Sequence, residues 1–143
     1  VASRGLGDVY KRQMLAFEGN TGPYLLYALV RVRSIIRKAR EQGIALDPDA
    51  KLLITEKEEK NLALTLLRYP GVIRSVADSL EPHRLCQYLY DLAAAYSSFF
   101  TNCPVLQADN PATKASRLRL CTIAERILTD GLGLLGITPL DRM

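Results

Sequence analysis

Hydrophobic positions recur at intervals of three and four through most of this chain, and apolar/polar alternation with period two is nearly absent. That pattern predicts an all-α protein. Leu85, Leu89, Leu92, Tyr96, Phe99 and Cys103 are spaced 4, 3, 4, 3, 4 and mark one core-facing stripe on a long helix opened by Pro82. Upstream, Leu25, Ala28, Leu29, Val32, Ile35, Ile36 and Ala39 fall within an arc of roughly 120° when residues 24–40 are wound at about 100° per residue. This first helix is expected to begin with Thr21 as N-cap and Pro23 in its first turn, and to end before Gly43. A turn-rich linker through Ala45, Asp47, Pro48 and Asp49 follows, with Leu52, Leu53 and Ile54 expected to tuck against the core. Thr55 and Glu58 form a T-x-x-E capping box for a second helix running to about Tyr69, and Pro70 starts a short third one. Leu66, Val72, Ile73 and Val76 give that pair its buried side. Asn110 with Pro111 opens a fifth helix through Leu118, Cys121, Ile127 and Leu128 to Leu135, with Gly136 as C′ residue and Pro139 beyond. The expected architecture is one helical bundle of about five helices over residues 23–143.

Residues 1–13, VASRGLGDVYKRQ, show neither periodicity nor the apolar run of a signal peptide. Residues 8–13 back-translate to GAT GTG TAT AAG AGA CAG, which resembles a transposon-end sequencing adapter read in frame. They are therefore expected to be a non-native segment, outside the fold.

The 143 residues suit one domain, and 48% hydrophobic against 24% charged residues excludes wholesale disorder. The net charge of +4 permits a polyanionic partner, but setting aside Arg4, Lys11, Arg12 and Asp8 leaves 16 basic and 14 acidic residues, or +2. No apolar run reaches the roughly 18 residues of a membrane span, so no membrane partner is expected. Cys86, Cys103 and Cys121 are odd in number and widely spaced, which argues against a zinc site or disulfide scaffold and fits the cytoplasm.

The remaining charge is local. Between Met14 and Gly43 five basic residues oppose Glu18 and Glu41, a local +3. Tyr24, Tyr27, Arg31, Ser34 and Lys38 share one line along the first helix, beside its buried arc, while Arg33 and Arg37 sit further round. Such a line suits single-stranded nucleic acid, with rings to stack unpaired bases and cations to meet phosphates. Two other readings fit the same residues: tyrosines at the rim of an apolar face with a solvated basic flank, or a helical protein-interaction module, since Tyr and Arg also anchor protein interfaces. Catalytic constellations are missing. His83 is the only histidine, in the first turn of its helix beside Glu81; Asp91 flanks an apolar stripe and reads as structural; no GxxxxGK[ST] or GxGxxG loop occurs.

Three segments carry a resemblance: MLAFEGNTGPYLLYALVRVRSIIRKA at 14–39, PHRLCQYLYDLAAAYSSFF at 82–100, and SRLRLC with GLLGITPLDRM at 116–121 and 133–143. In this order and spacing they resemble the C-terminal anticodon-binding region of arginyl-tRNA synthetase, a class I aminoacyl-tRNA synthetase, across essentially residues 14–143. The resemblance implies a class Ia, DALR-type helical bundle. It implies that residues 14–22 lead out of a catalytic domain whose HIGH- and KMSKS-like signatures have no counterpart here, and that the ending LDRM is the protein's natural end. Carried over by position, anticodon contacts fall on Tyr24, Tyr27, Arg31, Ser34 and Arg37, then Phe100 and Met143; Arg33 and Lys38, by their charge and place on the first helix, are expected as backbone phosphate contacts. Many relatives have Tyr where this chain has Phe100 and Gln where it has Leu26, which puts the base selectivity contributed by Phe100 in question. The implied partner is arginine tRNA, bound through its anticodon loop with its middle base, a cytosine, read by the first helix and the C-terminal backbone. ATP with magnesium, and arginine, belong to the catalytic domain. The chain alone is expected to be a monomer without catalytic activity.

Overall fold

In a computed structural model, residues 22–139 are described; residues 1–21, Thr21 among them, and residues 140–143 with Met143 lie outside them. Five helices follow in order: α1 (Gly22–Glu41), α2 (Lys57–Leu67), α3 (Tyr69–Ser79), α4 (Pro82–Asn102) and α5 (Pro111–Leu134). No strand occurs among the described residues. The helix ends obey local chemistry. Gly43 takes φ +74°, which a residue with a side chain resists, and the Ile44 N–H then closes on the Ala39 carbonyl at 2.9 Å. Asn110 caps α5 by accepting from the Ala112 N–H at 2.8 Å, with Pro111 just inside. At the other end Gly136 takes φ +77°.

Helix α4 is the hub, packed by the other four. All six residues of its stripe are buried: Leu85, Leu89, Leu92, Tyr96, Phe99 and Cys103. They meet the predicted arc of α1 and Leu118, Cys121, Leu128 and Leu132 of α5 in one continuous core. Gly131 sits in α5 because α4 passes close: a Cβ there would lie 2.6 Å from Leu89 Cδ2. Leu89 is itself fully buried and has little room to yield. Gly131→Ala is expected to destabilise the protein, with an overpacking cost of about 1–3 kcal/mol only partly offset by the roughly 1 kcal/mol that Ala gains over Gly in a helix. A urea titration reads the sign.

Three local expectations are corrected. The capping box of α2 lies one residue later: the N-cap is Glu56, not Thr55, and Glu59 rather than Glu58 reaches back, accepting from the Glu56 N–H at 2.8 Å. The reason is tertiary. Glu59 is fully buried and also receives Arg117 Nε of α5 at 3.2 Å, while the Thr55 hydroxyl donates to it from the flank at 3.1 Å. Tyr69 belongs to α3, and the two short helices meet at Arg68 alone. Tyr69 stacks on Tyr88 and donates to Asp130, which anchors the joint on α4 and α5. Ile54 is 40% exposed instead of tucked in, whereas Leu52 packs on the core and the Leu53 N–H is held by Ser116 Oγ.

The three cysteines are buried and form no disulfide with one another, and burial pushes the Cys121 thiol up to about 12. His83 Nε2 lies 3.5 Å from Glu81, and Asp91 accepts from Gln87 Nε2 at 3.0 Å.

Candidate nucleic-acid interface

The line of residues read from α1 lies along its junction with α4. Tyr24 meets Tyr90 with ring centroids 5.3 Å apart and planes tilted 42°. Seven residues on, Arg31 Nη1 comes to 3.5 Å of Ser97 Oγ, and Ser97 is itself seven residues beyond Tyr90. The two helices therefore run parallel in register, with rungs about 10 Å apart, two turns at 1.5 Å per residue. The same guanidinium also reaches Phe100, whose ring centroid lies 5.2 Å from its carbon.

Two shallow grooves follow this seam. The first, about 210 Å³, is lined by Tyr24, Tyr27, Arg31, Tyr96 and Ser97 with two alanines between them. The second, about 290 Å³, holds Tyr27, Arg31, Ser34, Lys38 and Phe100 with two aliphatic side chains. Tyr27 belongs to both and is 59% exposed; Phe100 is 40% exposed. Among the described residues no acidic side chain lines either groove. Beneath them Tyr96 is fully buried, its ring against Phe99 and Phe100; its hydroxyl lies 3.9 Å from Cys121 Sγ, and burial raises its pKa. An exposed ring beside a cation held over a second ring can stack a flat heterocycle and neutralise an attached anion.

Six of the nine expected site residues, Tyr24, Tyr27, Arg31, Ser34, Lys38 and Phe100, gather at this seam. Arg33 and Arg37 do not. Arg33 turns to α5, where Nε meets Glu125 at 3.0 Å and Nη2 donates to Thr129 at 3.1 Å. Arg37 lines a different groove between α1 and α5. Met143 lies outside the described residues. Sequence reasoning missed Tyr90 and Ser97, although Tyr90, Ser97 and Phe100 stand seven and three residues apart and share one α4 face. Among the described residues no group of three or more His, Cys, Asp or Glu is placed to hold a metal ion, and no helix is long and apolar enough to cross a membrane.

Comparison with known proteins gives a consistent result. The model of the DALR anticodon binding domain family matches residues 25–143. An arginine–tRNA ligase of Shewanella denitrificans is 47% identical over 131 residues, covering 92% of this chain and 22% of that protein. Among solved structures, the Thermus thermophilus arginyl-tRNA synthetase superposes with a TM-score of 0.76 at 39% identity, and that of Plasmodium falciparum with 0.72 at 32%; each match covers 89% of this chain and 22% of the other. The chain thus spans about a fifth of the length of these relatives.

Proposed function

The chain belongs to the DALR anticodon-binding domain family, its close relatives being arginine–tRNA ligases, and from that premise we propose that the α1/α4 seam binds the anticodon loop of an arginine tRNA. Unpaired loop bases stack on Tyr27 and Phe100, with Tyr24 and Tyr90 closing one end of the platform. Arg31 and Lys38 meet the flanking phosphates, and Ser34 supplies a hydroxyl that both donates and accepts at a base edge. Met143 is proposed as a further contact through the C-terminal backbone. Arg33, engaged by Glu125, is left out. The observation that carries this reading is the juxtaposition of Arg31 over Phe100 with the exposed Tyr27 ring, in grooves lined by no carboxylate among the described residues.

In the parent enzyme this binding would place the distant acceptor end of the tRNA for attachment of arginine. ATP, magnesium and arginine we assign to the remainder of the parent. The same reading makes the isolated chain a catalytically inactive monomer of the cytoplasm. Residues 14–22 are proposed to lead in from the catalytic domain, and residues 1–13 to be foreign to the protein.

Fluorescence anisotropy with a labelled hairpin of the arginine tRNA anticodon arm tests the reading. Log affinity is expected to fall linearly with log salt as counterions are released. Salt-insensitive or absent binding, together with recovery of a protein partner on the Tyr27 face, would instead support the protein-interaction module.

A further inference from the structure

A second groove, about 570 Å³, runs along the opposite flank of α1 where it meets α5. Three arginines spaced along α1, Arg33, Arg37 and Arg40, line it with Ile36, Leu46, Thr122 and Glu125. Its only carboxylate among the described residues, Glu125, is engaged by Arg33 Nε at 3.0 Å and by the Thr129 hydroxyl at 3.1 Å. Two positive charges are thereby left in excess at the half-exposed Arg37 and the exposed Arg40. A cation in the last turn of α1 complements the helix dipole, which accounts for Arg40 but not for its convergence with Arg37 one turn earlier. Among the described residues no aromatic side chain lines this groove, in contrast to the seam on the other flank, so it offers charge without a surface for stacking.

We infer that the α1/α5 groove is a phosphate clamp: Arg37 and Arg40 grip successive phosphates of the duplex stem adjoining the loop whose bases lie on the α1/α4 seam. The inference rests on the proposed function and extends it to a second site with a separate task. An RNA hairpin astride α1 meets both flanks, because a helix with its side chains is about 10–12 Å across and a duplex carries a phosphate every few ångströms of its axis. Paired bases in the stem present no free faces, which is the chemistry a groove of arginines without rings can accept. Arg37, set apart from the α1/α4 line in the sequence, thereby acquires a task of holding the backbone and not of reading a base.

The test compares the chain with its Arg37→Gln/Arg40→Gln variant, binding the labelled anticodon-arm hairpin between 50 and 200 mM NaCl. Loss of two phosphate contacts should make the slope of log affinity against log salt shallower by about 1.4–1.8, so that the affinity lost over this fourfold rise shrinks by about 7- to 12-fold. Discrimination against a hairpin with a changed middle anticodon base should stay as in the parent chain. Arg74→Gln, on exposed α3, should keep the parent slope, and unchanged thermal midpoints certify folding in every variant. A folded double variant with the parent slope overturns the clamp and leaves the groove to another occupant such as an acidic polypeptide. Loss of base discrimination overturns it as well, by making these arginines base readers. If the unmodified chain binds no hairpin at all, the functional reading falls and the clamp falls with it.

Discussion

Arg117→Met is expected to destabilise the protein by about 3–5 kcal/mol, because it leaves the fully buried Glu59 carboxylate without its cation. For a domain of this size the thermal midpoint should drop on the order of 10–20 °C. Arg117 is only 9% exposed, and besides Glu59 its Nη1 donates to the Pro104 carbonyl at 2.7 Å, so one side chain ties α5 to the start of α2 and to the loop after α4. Burial would raise the Glu59 pKa, but the Glu56 N–H, the Arg117 guanidinium and the Thr55 N–H together hold it below the usual carboxylate range. A group depressed in the folded state stabilises the protein fully above its unfolded pKa, near 4.3, and loses that contribution as pH falls through the lower folded value. Acid unfolding should therefore begin below about pH 4 in the parent chain. A double change of Glu59 and Arg117 to apolar residues of similar volume should recover much of the loss, which urea titrations at pH 7 can measure.

Tyr27→Ala and Phe100→Ala are each expected to weaken RNA binding by about 1–3 kcal/mol, a loss of roughly 5- to 150-fold, because each removes a ring on which a base stacks. Stability should move much less, since neither ring belongs to the buried core: 59% of Tyr27 and 40% of Phe100 is exposed. Phe100→Tyr separates stacking from hydrogen bonding. It restores a hydroxyl on the same ring, so it should retain affinity and add selectivity where that hydroxyl meets a base edge. Arg31→Lys should weaken binding too, because an ammonium cannot spread over the Phe100 ring as the planar guanidinium does at 5.2 Å. The pair of phenotypes, weak binding with an intact fold for Tyr27 and a weakened fold for Arg117, separates the seam from the framework that holds it.

The helices were legible because their signals are local and agree with one another. The α4 stripe, the α1 arc, the Asn110 cap and the turns at Gly43 and Gly136 all appear where spacing and turn chemistry place them. The α2 capping box was displaced because two glutamates stand side by side, and only the distant Arg117 decides which of them turns inward. Half of the seam was legible for the same reason: the residues on α1 share a face that the helical period reveals. The other half, Tyr90 and Ser97, required knowing that α4 runs parallel to α1 in register, a tertiary fact that no periodicity encodes. Arg33 shows the converse. Charge and position placed it beside a phosphate, but Glu125 of α5 claims it, 92 residues away along the chain.

The central claim is that the α1/α4 seam reads an arginine anticodon loop, and its most direct test is the affinity ratio of the chain for two hairpins. One carries the arginine anticodon with its middle cytosine, and the other differs only by guanine at that position. The account predicts tighter binding of the cytosine hairpin, by about 1–3 kcal/mol for a base read by stacking and a polar edge, with the preference reduced in Tyr27→Ala. Equal affinity for the two hairpins, at salt low enough for both to bind, would contradict it.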